Sequence, residues 1–136
     1  MKVICPYCGA DAELVGGDVI YPRRPDLASR RFWRCAPCDA WVGTHIHSRD
    51  AVPLGRLANA ELRIAKREAH AVFDPLWQAK SRRDGCSKKQ ARTAAYKWLS
   101  EQLGISRRQT HIGMFDIELC RRVIEVCTPH LQRRTA

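Results

Sequence analysis

The sequence predicts an α+β fold: a small four-cysteine ribbon of short antiparallel strands over residues 1–50, then a basic three-helix region over 51–136. Three observations lead there. Cys5-Pro6-Tyr7-Cys8 and Cys35-Ala36-Pro37-Cys38 repeat one Cys-x-x-Cys device. Short apolar runs broken by glycine and proline surround the two pairs, as strands and turns require. Beyond Pro53, apolar residues recur at the three-and-four spacing of helices.

Two cysteines three apart, closed by a tight turn, direct both sulfurs at one point. Two such turns make a tetrahedral four-sulfur site, which suits zinc and leaves no open coordination position. One structural Zn²⁺ is therefore expected on Cys5, Cys8, Cys35 and Cys38. The chain has seven cysteines, an odd number, and Met1–Cys5 leaves no room for a signal peptide. A cytoplasmic, reducing setting follows as the expectation, and there paired cysteines are metal ligands rather than disulfides. No membrane association is expected, since no apolar run nears the roughly 18 residues of a span.

The ribbon has too few apolar residues to hold a fold alone, so it needs the metal. Ala12–Val15 and Asp18–Tyr21 flank Gly16-Gly17, which predicts a hairpin. Phe32-Trp33-Arg34 should lead into the second cysteine pair and Trp41–Thr44 out of it. Pro22-Arg23-Arg24-Pro25 through Arg30-Arg31 reads as a stiff basic loop. His45 and His47 share one strand face and are expected as solvated or packing side chains rather than a second metal site.

Pro53-Leu54-Gly55 is a turn, and Asn59 is a good N-cap for the first helix. Its apolar positions run Leu62, Ala65, Ala69, Val72/Phe73 and Leu76, with Arg63, Lys66, Arg67 and His70 on a neighbouring face. Asp74-Pro75 is expected to interrupt it, because a residue before proline avoids the α region. Lys80–Gly85 reads as a charged linker. Ser87-x-x-Gln90 is a capping box and Gly104 a stop, so the second helix spans about 88–103. The third begins after Asp116, with Glu118–Arg122 and Arg121–Glu125 as four-residue ion pairs. Cys120 and Cys127 look like small buried hydrophobes. A second metal site from His111, Cys120, Cys127 and His130 lacks the Cys-x-x-Cys geometry. Residues 98–110 carry a Leu-Gly-Ile-Ser turn like that of a helix-turn-helix, but Gly113 would weaken a recognition helix. A plain helical hairpin is the reading preferred.

Charge divides the chain sharply. Residues 1–50 carry seven Lys/Arg against six Asp/Glu, and residues 51–136 carry seventeen against eight. The basic half should meet a polyanion, with nucleic acid the default. The candidate phosphate contacts are Arg63, Lys66, Arg67, Lys88, Lys89, Arg92, Arg107 and Arg108, with the arginines of the 23–31 loop as the rival cluster. A nuclease built on His70, Asp74, His111 and Asp116 is not expected: there is no acidic cluster for Mg²⁺ and no complete nucleophile–base motif.

Cys-Pro-Tyr-Cys-Gly at 5–9, Asp39–His45, Pro53–Arg63 and His111–Asp116 together resemble the zinc-finger-containing domain family found in phages and bacterial genomes. The resemblance covers nearly the whole chain. It implies a zinc-binding N-terminus and a phage or prophage setting, and it supplies no activity. The expected function is that of a zinc-binding accessory protein that binds nucleic acid through its helical half. The alternative is an interaction module docking on a host nucleic-acid enzyme, anchored by Trp33 or Trp41.

Overall fold

The computed structural model describes residues 1–135, which divide into two compact units, Met1–Glu61 and Leu62 onward. The first holds a three-stranded antiparallel sheet in the order β1 (Glu13–Gly16), β2 (Arg31–Cys35), β3 (Ala40–Gly43). The second holds most of α2 (Ala60–Asp84), then α3 (Lys88–Leu103) and α4 (Ile117–Thr135). The α+β class expected from the sequence is what is found.

The hairpin expected at Gly16-Gly17 does not form. β1 pairs instead with β2, Leu14 opposite Trp33 and Gly16 opposite Arg31, and residues 17–20 make a single helical turn, α1 (Gly17–Ile20). The reason lies at Gly17. Its N–H donates to the Arg30 carbonyl at 2.7 Å, and a Cβ there would overlap the Leu27 carbonyl. The glycine therefore serves close backbone approach of the 21–30 loop rather than a two-residue turn.

The ladder continues past residue 50. His45 N–H donates to Val52 at 3.0 Å, Leu54 N–H to Gly43 at 2.9 Å, and Ala58 N–H to Trp41 at 2.9 Å. Residues 52–58 thus run beside β3, which explains why the first unit extends to Glu61 rather than ending at 50. Its core comprises Cys5, Trp33, Cys35, Ala40, Ala51 and Leu57. Trp33 is pinned there by an indole N–H donated to the Ala51 carbonyl at 2.7 Å.

In the second unit, α2 runs unbroken through Asp74-Pro75 to Asp84. An interior proline costs ~3 kcal/mol, but Phe73 and Trp77 are buried on either side of it, and burying two such rings contributes more than that. Lys80–Asp84, within the stretch that reads as a charged linker, form the helix's last turn, where Lys80 pairs with Asp84 at 2.9 Å, four residues on. α3 has the expected limits: Ser87 Oγ accepts from Gln90 N–H, Gln90 Oε1 accepts from Ser87 N–H, and Gly104 closes the helix at φ 70°. Asp116 caps α4 by accepting from Leu119 N–H at 2.9 Å. Glu118 does not pair with Arg122, whose guanidinium donates to the Leu103 carbonyl at 3.0 Å.

Phe73, Leu99, Ile112, Phe115, Cys120 and Cys127 are at or near full burial, as the sequence indicated for the two cysteines. Burial pushes the Cys127 thiol from 9.0 up to about 12. A raised thiol pKa means the neutral form fits the core, so its contribution is complete below pH 9 and is lost as pH rises towards 12. Urea unfolding followed by helical circular dichroism should therefore show a fall in stability of about 2 kcal/mol between pH 9 and 10.5. Much of that fall should vanish in Cys127→Val.

Candidate metal centre and basic groove

The two cysteine turns are built alike. Cys5–Cys8 closes with Gly9 at φ 78°, and Cys35–Cys38 closes with Asp39 at φ 51°. This left-handed residue turns the chain back after the second sulfur, where Gly9 N–H bonds to the Cys5 carbonyl at 2.9 Å and Asp39 N–H to Ala36 at 3.1 Å. Tyr7 N–H points at Cys5 Sγ, 3.4 Å away.

The four Sγ atoms all lie within 4.8 Å of one another, with Cys8 and Cys35 at 3.6 Å. A tetrahedral ion with metal–sulfur bonds of ~2.3 Å holds its sulfurs about 3.8 Å apart, so the cluster fits such an ion. The thiols alone do not share the charge well. Cys8 is held below its ordinary value, first by the Ala10 backbone N–H and then by Cys35 and Cys38. Cys38 is pushed up to about 12, first by Cys8 and then by burial. Four sulfurs this close oppose one another's negative charge, which a dication at the centre would neutralise. Cys5 and Cys35 are buried in the unit's core, so the metal ligands and the packing residues are partly the same atoms.

Among the described residues this is the only such cluster of potential ligands. The later histidines lie elsewhere: His111 packs on Tyr96 at 5.6 Å and His130 on Trp98 at 5.0 Å. Neither joins Cys120 or Cys127 in a ligand set.

The basic candidates separate into distinct groups. Lys66 donates to the Gly113 carbonyl at 2.7 Å, which makes it a tether of the 112–114 turn. His70, on the same stripe, faces Asp74 at 3.4 Å. Arg63 is half-buried and Arg67 exposed. Lys88 is exposed on the first turn of α3, and Arg108 lines a separate hollow with Met114 and Phe115. Arg92 lies over the Trp77 ring at 4.9 Å, and Arg107 over Tyr96 at 5.2 Å.

Lys89, Thr93 and Lys97 follow at four-residue intervals along α3, and Arg107 comes back beside them from the turn after Gly104. Together with Gln90 and Ala94 they line an open groove of about 570 Å³ with no acidic side chain. Lys97 was absent from the sequence-derived candidates. Its four-residue spacing from Lys89 and Thr93 was the available signal, but Arg107's return to the same face depends on the fold of residues 104–110. That segment is no recognition helix. It holds a short 3₁₀ turn, Arg107–Gln109, capped by Ser106, and Thr110 behind it is fully buried with its hydroxyl donating to the Ser106 carbonyl at 2.6 Å.

A sheet closed by two cysteine turns, with four converging sulfurs, defines the class of small metal-knuckle proteins. The chain belongs to the zinc-finger-containing domain family, whose model matches residues 1–130. No match is found among curated proteins or solved structures. Among the described residues, no helix is long and apolar enough to cross a membrane.

Proposed function

We propose that the chain is a zinc-stapled accessory protein that binds nucleic acid through its helical unit. The ion assigned to the cysteine cluster is Zn²⁺, held structurally: all four positions are filled by protein sulfur, so no site is left for water or substrate. The observation that carries the binding reading is that Lys89, Lys97 and Arg107 line one open groove with no carboxylate among its lining residues. Such a surface attracts phosphates. Arg107 is braced by Tyr96 and by its bond to the Thr110 carbonyl at 3.3 Å, which reduces the entropy lost when it meets a ligand. Because Arg107–Gln109 form a 3₁₀ turn rather than a recognition helix, binding is expected to depend on backbone charge rather than on base sequence.

The rival loop is less suited. Arg24 is engaged by Asp26 at 2.7 Å, and Arg31 donates to the Ser48 carbonyl at 2.6 Å. The test is titration of the zinc-loaded protein with single- and double-stranded DNA and RNA across salt. Affinity should fall linearly in log–log terms, by ~0.7 per phosphate contact for single strands and ~0.9 for duplex. Absence of binding at low salt would transfer the lead to protein docking.

That second reading rests on one observation, the exposed Ile46, Val52 and Leu54 of the first unit. Trp33 cannot anchor a partner, being buried and bonded to Ala51. Trp41 is half-buried and stands edge-on to Tyr21 at 6.2 Å.

A further inference from the structure

A second cavity, of about 480 Å³, opens among α2, α3 and α4. Trp77 and Trp98 line it together with Leu76 and Ala95, while Lys80, Arg83 and His130 complete its wall. Its size falls in the ~300–1,000 Å³ range of ligand pockets. Ala94 lines both this cavity and the basic groove, so the two adjoin along α3.

The aromatic side chains are held in place. Trp77 donates its indole N–H to Asp74 at 3.0 Å, and Arg92 covers its ring. Trp98 is half-buried, and His130 stands against it nearly perpendicular, at 88°. Lys80 and Arg83 share one carboxylate, Asp84, each at 2.9 Å. Two cations against one anion leave this side of the cavity with net positive charge.

An aromatic-walled cavity with a cationic margin, continuous with a groove of lysines and arginine, has the chemistry of a single-strand platform. Unpaired bases stack on aromatic rings while their phosphates follow the basic groove. Duplex DNA hides its bases inside the stack and can use only the groove. Building on the nucleic-acid reading above, we propose that the preferred partner is single-stranded nucleic acid, with a base entering the cavity against Trp98 and the adjoining phosphates on Lys89, Lys97 and Arg107.

The test uses the zinc-loaded full chain with a twenty-nucleotide oligothymidylate and, separately, its duplex with oligodeoxyadenylate. The single strand should bind more tightly than the duplex and quench tryptophan emission. Trp98→Leu should weaken single-strand binding roughly 5- to 150-fold, the range for loss of one stacked base, and leave duplex binding within twofold. Circular dichroism checks that the variant keeps its helices, and quenching of the wild-type protein serves as a readout that needs no substitution. If duplex and single strand bind equally, without quenching and without an effect of Trp98→Leu, the stacking proposal is overturned and the groove reading stands. If neither binds at low salt, both fall.

Discussion

Replacing Cys38 by serine, or stripping the metal with a chelator, should unfold the first unit while the helices from Leu62 onward persist. Structural zinc in small domains contributes on the order of 10–16 kcal/mol, more than a whole small domain's net stability. The first unit has little to set against its loss. Its core contains only Trp33 and Leu57 as large side chains, and two of its six members are the ligands Cys5 and Cys35. The second unit has its own buried core around Phe73, Leu99 and Phe115. The expected result is loss of the dispersed strand signals in an NMR spectrum, with helical circular dichroism largely kept. Loss of all helix on chelation would show that the helices also depend on the metal.

The second large effect is expected from neutralising the groove. A Lys89→Ala, Lys97→Ala, Arg107→Ala variant would remove the three proposed phosphate contacts, each contributing roughly 1 kcal/mol net. Affinity at low salt should fall about 100-fold. The slope of log affinity against log salt should shrink by about 2 for single strands. Changing Arg23, Arg24, Arg30 and Arg31 to alanine should do much less, because Arg24 and Arg31 are already engaged within the first unit. Neutralising Lys66 should reduce stability more than affinity, since its ammonium holds the Gly113 carbonyl. If the loop variant loses binding and the groove variant keeps it, the roles of the two units are reversed.

These expectations rest on features that the sequence revealed unevenly. The cysteine turns were legible because four residues contain the whole device, and the capping box with Gly104 defined α3 for the same reason. What depended on distant contacts was hidden. Gly16-Gly17 has the composition of a hairpin turn, yet Gly17 answers to the Leu27 carbonyl, ten residues away. Pro75 should break a helix locally, and the buried stripe through Phe73 and Trp77 overrides it. Four-residue spacing pairs Arg122 with Glu118, whereas the Leu103 carbonyl at the end of α3 takes its guanidinium. The eight basic candidates follow from local charge and from spacing along single elements. The surface that gathers cations needs Lys97, and it needs residues 107–109 folded back beside α3.

The metal centre is the claim on which the fold of the first unit depends, and native mass spectrometry of the protein purified without added chelator tests it most directly. One zinc ion per chain, displacing the thiol protons and lost from Cys38→Ser, is the predicted result. A chain that carries no zinc, or binds two ions with comparable tightness, would contradict it.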